Sequence, residues 1–475
     1  MMVTTTAKAS LSLDFLIVGG GVAGLATAFR LCQAGHRVRV LDQSSGPKQR
    51  SGGTHLPPNL TKILVEWGLG DKLAQYGLST RASEFISMDT GDVIGCLEWK
   101  EDVLQESGAD YLLMHYQDLH TILYEAAISS GAQISYNQVV SRALANPPRV
   151  RLVNGDEIHA DLIIGADGPQ SIIRESIEGQ REEGIPEGHS IYVAVISREL
   201  LKDDKELYEL TSSNPSSPTY PIWTGTSRHV TGFAVREGKE FAMHAFWPDS
   251  EVEEDASVGG WDILVPREKI PIRCEPKLRR LLELAPDMQR IKLINRPAAE
   301  EWSDPSGRIL LIGEAAHPLF PGVLQSCSMQ VEDAEVFGSL FSQFRSWDQL
   351  PLLLEAFQDL RQRRTQTIHA KETKAFQTVW VPPGPERKAR DEALRSVMVS
   401  GRQGWDEKKM RWQWEEICEV FGYSAREAAE DWWNTWGMLR ERSRTKEEYA
   451  SLYTPIEVTQ THDSPMSSGI SIAAD

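Results

Sequence analysis

The parts of this chain from which chemistry can be built are a glycine cluster, one well-placed carboxylate and a scatter of histidines, arginines and aromatic side chains. Gly19-Gly20-Gly21-Val22-Ala23-Gly24 has the spacing G-x-G-x-x-G. It follows the apolar run at 14–18 and opens a helix-like stretch that Gly35 closes. In such a turn Gly19 permits the tight bend, Gly21 lets backbone approach a pyrophosphate, and Gly24 lets the helix lie close to the strand. The helix N-terminus then offers unpaired N–H groups to phosphate oxygens. The next strand-like run, HRVRVLDQ, carries Asp42, 23 residues after Gly19. A carboxylate there accepts hydrogen bonds from ribose hydroxyls and disfavours a 2'-phosphate. The unit predicts a tightly held dinucleotide other than NADP, and leaves flavin or nicotinamide open.

The elements that must position this turn are legible around it. A β-turn-α-β unit covers the first strand, helix and second strand. A helix is expected from Leu119 to Ser129, and strands at 133–141 and 149–153, with Asn154-Gly155 as a tight turn. The strand EIHADLIIGADG again runs into a glycine turn. Between 185 and 300 short alternating pieces such as RHVTGFAV and EFAMHAF predict an antiparallel sheet. GRILLIGEAAHP returns to a strand, and two helical stretches follow, the second reading LPLLLEAFQDLRQRRTQTIHAKETKAF. Pro382 and Pro383 end it.

Further segments give the chain a family likeness. Gly165-Ala166-Asp167-Gly168 precedes Ser171 and Arg174. Gly313-Glu314-Ala315-Ala316-His317-Pro318 precedes Pro321, Gln325 and Glu332-Asp333-Ala334. Gly52 to Asn59 reads GGTHLPPN, and Arg361 and Arg364 sit on the long helix. With the first glycine turn and Asp42, these resemble the single-component FAD-dependent aromatic hydroxylases, the group of salicylate and p-hydroxybenzoate hydroxylases, and especially fungal members. The resemblance runs from about residue 14 to 375.

It implies an α/β fold: a Rossmann-like FAD-binding domain with an inserted antiparallel-sheet substrate domain and a helical C-terminal extension. The expected divisions are 1–184 and 301–377 for the FAD domain, 185–300 for the substrate sheet, 378–450 for a Trp-rich helical extension and 451–475 for a loose tail. The extension holds Trp405, Trp412, Trp414, Trp432, Trp433 and Trp436, with Trp432 and Trp436 at i,i+4; docking of a helical cap is the expected use. The implied cofactor contacts are Gly19, Gly21, Gly24, Asp42, Gly53, Tyr116, Gln117, Asp167, Gly168, Glu314 and Pro321. A helix starting near Ser328 would aim its positive end at the flavin. His317 reads as structural, and the Arg361–Arg364 pair as equally compatible with a solvated basic face.

The likeness also implies a reaction. NADH or NADPH reduces FAD, dioxygen adds to give a flavin C4a-hydroperoxide, and an aromatic or polycyclic secondary-metabolite substrate is hydroxylated or epoxidised. The alternative from the same residues is an FAD oxidoreductase or oxidase without oxygen insertion, such as a dehydrogenating or ring-forming enzyme. A flavin-fold binding protein is a third.

This sequence departs from the family pattern at several positions. Tyr116 stands where an arginine is usual, Glu314 replaces an aspartate, Ser326 replaces a glycine, and Val193, beside Tyr192, occupies a frequent arginine position. Phe233-Ala234 roughly replaces a Tyr-Pro pair. The candidate pocket residues are Tyr192, Trp223, Arg228, His229, His244 and Trp247, with Tyr192, Arg228 and His244 as the catalytic candidates. On a regular strand Arg228 and His229 face opposite ways. The sparse positive charge of the sheet region favours a larger, less charged substrate than a benzoate.

Composition bounds the rest. The net charge of -18 does not suit a nucleic-acid binder. Five scattered cysteines, Cys32, Cys96, Cys274, Cys327 and Cys418, form no C-x-x-C pair and give no metal site; they suit a reducing, cytoplasmic setting. No run reads as a transmembrane segment. A monomer or homodimer acting on a small molecule is the expectation.

Overall fold

Short, almost continuously apolar strands need cover on both faces, and here they form a parallel sheet. Its order is Ile309–Leu311, Leu162–Gly165, Asp14–Val18, Arg37–Leu41 and Gln133–Ser135. The structure, a computed structural model, describes residues 7–47, 52–98, 107–181, 183–212, 219–252, 262–270, 273–399 and 418–441. The helices Val22–Gln33 and Ser326–Phe341 pack together. They meet at Gly338, where a Cβ would lie 2.6 Å from the Cβ of Arg30.

The stretch expected as one strand at 133–141 is two. Gln133–Ser135 stays in the parallel sheet, and Val140–Ala145 starts an antiparallel ribbon with Pro148–Leu152 and Glu157–His159. Between them Asn137 takes φ 56°. The Asn137 and Gln138 N–H groups donate to the carbonyls of Ser44 and Asp42, at 2.8 and 2.9 Å. The break ties this segment to the end of the second strand.

The second sheet has eight strands, in the order Asp262–Val265, Met288–Asn295, Ile185–Ser197, Glu240–Pro248, Arg228–Val235, Thr219–Gly225, Ala82–Ser87 and Val93–Glu98. It is antiparallel except where Thr219–Gly225 runs parallel to Ala82–Ser87. The sheet is therefore wider than 185–300: two strands come from the chain before the first glycine-turn domain is complete.

Register divides this sheet into two faces, because residues directly opposite one another share a face. Val193 pairs with His244, Ile191 with Phe246, and His229 with Phe246. Ile191, Val193, His229, His244 and Phe246 thus share one face. Tyr192, Ala194, Trp223, Met243, Ala245 and Trp247 belong to the buried cluster on the other.

The helix Leu350–Val379 runs along the molecule, and Pro385–Val399 lies on the edge strand Val93–Glu98, where Gly95 meets the backbone of Leu394. Residues up to Glu430 form one compact unit and 431–475 a second. The helix Ala425–Trp432 widens into a π-helical turn over Trp433–Gly437, so Trp432 and Trp436 do not keep a regular α-helical i,i+4 spacing. Trp405, Trp412, Trp414 and the tail lie outside the described residues. Among the described residues no helix is long and apolar enough to cross a membrane.

Candidate active site

The two glycine motifs meet at the ends of the parallel strands. Gly19, at φ +108°, has room for no side chain: a Cβ would lie 2.2 Å from the Ala166 carbonyl oxygen of the second motif. A Cβ on Gly24 would lie 1.9 Å from the Gly19 carbonyl oxygen. Gly21 and Gly168 instead face open space. The helix Val22–Gln33 has no side-chain cap from Gly21; Gln330 Oε1 accepts the Ala23 N–H at 3.2 Å, and the rest of the open turn can serve a ligand.

Asp42 is held in place by the turn it serves. Its Oδ2 accepts the Gly20 N–H at 2.7 Å, and its Oδ1 accepts the N–H (2.7 Å) and hydroxyl of Ser44. A carboxylate offers about four lone-pair sites, and Asp42 still lines the cavity beyond. Asp167 works inward as well. It accepts the Ser171 hydroxyl at 2.5 Å and the N–H groups of Ile172 and Ile173 at 2.8 and 3.2 Å, which caps the helix Ile172–Glu178. Burial raises its carboxyl above the usual range, against those hydrogen bonds.

A cavity of about 620 Å³ extends from this turn to the face of the large sheet. Gly19, Gly21, Asp42, Gly53, Tyr116, Asp167, Gly168, Glu314 and Pro321 line it, whereas Gly24 packs behind it. Gln117 is outside: its side-chain amide donates to Thr121 on the exposed side of the helix, at 3.5 Å. One turn after Tyr116, His120 does line the cavity, and its Nε2 lies 2.9 Å from the Gly20 carbonyl oxygen. The i,i+4 spacing from Tyr116 is the signal that could have found it. Tyr136 and Gln138, in the break between strands, also line it.

Two departures from the family pattern touch each other. The Ser326 hydroxyl donates to Glu314 at 3.4 Å, so the longer acid reaches the residue that stands where glycine is usual. The helix Ser326–Phe341 begins at Ser326 with no side-chain cap, and Ser326, Cys327 and Gln330 line the cavity. Its positive end faces the cavity, as expected, two residues earlier than predicted.

Behind this helix lies a buried ion network, which decides between the two uses that the sequence leaves open for Arg361 and Arg364. Arg361 is fully buried and donates to Asp333 Oδ1 at 2.6 Å and Glu332 Oε2 at 2.8 Å. Arg364 reaches Glu332 at 3.1 Å, and Asn59 donates to the same carboxylate at 2.7 Å. Asp333 accepts from the Gly313 N–H at 2.9 Å and holds His317 Nε2 at 2.6 Å. His317 is structural in this arrangement. Burial opposes charge on Glu332 and Asp333, but Arg364 and Arg361 hold Glu332, and His317 and Arg361 hold Asp333, below the usual carboxylate range. Arg364 also donates to the carbonyls of Glu419 and Val420, at 2.8 and 2.7 Å.

The catalytic candidates separate by sheet face. His244 lines the cavity beside Ile191 and Val193. Burial pushes its pKa down to about 4, so the ring is neutral near pH 7. Tyr192 points the other way, into the core with Trp223 and Trp247. Arg228 pairs with Glu251 at 2.5 Å and lies over the Trp247 ring. His229 is on the cavity side but is engaged: its Nδ1 accepts the Trp380 indole N–H at 2.7 Å, and its ring stacks on Phe246. The geometry thus brings His244 to the cavity and leaves Tyr192 and Arg228 outside its lining.

The residues fit FAD. The cavity lies within the roughly 300–1,000 Å³ typical of ligand sites. Gly21 and Gly168 present bare backbone to it, and two helix N-termini beside it lack side-chain caps. The FAD binding domain family model matches residues 12–370, so the chain belongs to that family. It is 26% identical over 435 residues to the FAD-dependent monooxygenase OpS4 of Beauveria bassiana, covering 87% of this chain and 95% of the relative. Its fold is similar to CtdE, solved with FAD and a substrate: TM-score 0.73, 18% identity, 90% of this chain and 100% of that one. It is also similar to a salicylate hydroxylase substrate complex: TM-score 0.67, 20% identity, 88% and 97% coverage.

Proposed function

We propose that this chain is an NAD(P)H- and O2-dependent FAD monooxygenase acting on an uncharged aromatic or polycyclic small molecule. The observation that carries the reading is the single cavity that joins the glycine turns to the His244 face of the large sheet. The overall balance is substrate, dioxygen, NAD(P)H and a proton giving oxygenated substrate, water and NAD(P)+. When bound, FAD supplies the redox chemistry, accepting electrons from the nicotinamide and activating dioxygen.

The protein's part is to bind, orient and exclude water. In this reading Gly19, Gly21, Gly168 and the first turn of Val22–Gln33 hold the pyrophosphate, Asp42 the adenosine ribose, and Glu314, with Ser326 beside it, the ribityl chain. Tyr116 and His120 flank the nucleotide end. The uncapped start of Ser326–Phe341 supports negative charge at the flavin. Ile191, Val193 and Ile291 form an aliphatic wall from which neutral His244 offers one hydrogen bond to substrate. Five free cysteines are consistent with the cytoplasmic setting proposed for it.

The test is turnover under 18O2 with NADH and NADPH in turn, screening uncharged polycyclic phenols and indoles against benzoates. One labelled oxygen per product supports the reading. Turnover with no label in any product, or preference for benzoates, overturns it.

A further inference from the structure

The start of the helix Ser326–Phe341 poses a physical problem. A helix that presents its first N–H groups to a ligand cannot also fill them with a side-chain cap. Gln325, at the cap position, makes no such bond; its side-chain oxygen instead accepts from Asn59 at 2.9 Å. The preceding residues Leu319, Pro321, Gly322 and Val323 line the cavity. Gly322 sits at φ +78°, in a conformation that L side chains rarely adopt. Something other than a cap must hold this junction still.

That support comes from behind, from the long helix Leu350–Val379. Glu372 Oε2 accepts the Leu324 N–H at 3.3 Å. The Gln325 N–H is close enough to favour its charged form as well. The junction of the cavity loop with the cavity helix is therefore tied to one carboxylate through the Leu324 peptide, with the Gln325 peptide beside it. Leu324 packs against the cluster of Tyr111, Tyr220, Phe233 and Phe421.

We infer that Glu372 is a positioning residue for the flavin site, fixing the Pro321–Ser326 junction from outside the cavity so that the helix start stays uncapped and available. It lies outside the cavity lining and acts through the Leu324 and Gln325 peptides. The inference rests on the FAD site proposed above.

The ionisation of Glu372 gives the arrangement a signature. Burial pushes its carboxyl up to about 7, and the two backbone N–H groups only partly oppose this. The titratable groups that feel its charge are the buried hydroxyls of Tyr111 and Tyr220, whose own ionisation it further disfavours. Among the described residues, no cation is among the groups that set its ionisation. Near neutral pH the carboxylate form holds the junction strongly, and the protonated form more weakly.

The experiment is FAD affinity of the full chain, read by flavin fluorescence between pH 5.5 and 8.5, with thermal melting alongside. Wild type should bind FAD more tightly as pH rises through about 7. Glu372→Ala should weaken binding at pH 8 by about tenfold, the scale of losing a charge-assisted hydrogen bond. Glu372→Gln keeps the shape and one acceptor; it should bind like low-pH wild type and show no step near pH 7. If Glu372→Ala does not fold, the flattened profile of Glu372→Gln carries the test alone. FAD affinity unchanged in a folded Glu372→Ala, or a step that persists in Glu372→Gln, overturns the inference. Failure of wild type to bind FAD at any pH would instead sink the site assignment on which it rests.

Discussion

The cavity has two sides made in different ways. The cofactor side is fastened by bonds: Asp42, Asp167 and Asp333 each accept several backbone or side-chain donors, and buried arginines neutralise Glu332 and Asp333. The side on the large sheet, proposed above to meet substrate, is set by packing and strand alternation, with His244 and Asp262 among the aliphatic residues Ile191, Val193 and Ile291. Bonds with fixed directions hold one geometry, as a constant cofactor needs. A wall shaped by side-chain volume can vary without disturbing that geometry.

The contrast predicts where damage will be greatest. Arg361→Met should be the most harmful change, because it removes the one guanidinium that Glu332 and Asp333 share and leaves an empty ion-pair position inside the buried network. A loss of about 3–5 kcal/mol in urea unfolding is expected, together with loss of FAD. A loss below about 1 kcal/mol would mean that the bonded side is not the rigid one.

Acid should strike the packed side next. His55 and His229 are pushed by burial to about 3, and His244 to about 4. Their unfolded value is 6.5, so the unfolded chain takes up protons first, and stability falls as pH drops below 6.5. The limit is about 1.4 kcal/mol per pH unit for each histidine, or about 2 kcal/mol each by pH 5. His229→Gln should make the stability profile from pH 6.5 to 5 shallower by about one histidine's share. An unchanged slope would show that His229 is not buried in the neutral form.

His244→Leu sharpens the comparison further. It should leave FAD affinity within about twofold and lower kcat/KM for a hydrogen-bonding substrate by about tenfold. Weakened FAD binding without a kinetic effect would put His244 on the cofactor side. Tyr192→Phe should do least: under about 1.5 kcal/mol in stability and no change in substrate selectivity. A kinetic loss like that of His244→Leu would break the assignment of sheet faces.

How far the sequence reveals these two sides follows from the range of the interactions. The glycine turn is local: strand, turn and helix are contiguous, and Asp42 lies at a fixed distance along the chain. It therefore reads directly, as does the β-rich character of 185–300. The Arg361 network is not local. Its arginines and carboxylates lie on two helices, and the spacing that buries Arg361 on one of them is the same spacing that would expose it on a free helix. Strand parity hides the choice among the catalytic candidates. Tyr192 and His244 sit on different strands, and only the register of Val193 opposite His244 places them on opposite faces. The hairpin of Ala82–Ser87 and Val93–Glu98 joins the sheet through a single long-range pairing, with Thr219–Gly225, which local alternation does not announce.

The parity of the large sheet has a consequence for how such a protein changes over generations. Positions 191 and 193 on the strand Ile185–Ser197 face the cavity, while their even-numbered neighbours 192 and 194 belong to the buried core. Mutations that alter what the enzyme accepts and mutations that unfold it thus fall on alternate codons of the same short stretch. A lineage can explore new substrates one codon at a time while the intervening codons stay under purifying selection, and a library randomised only at the ligand-facing positions should stay largely folded.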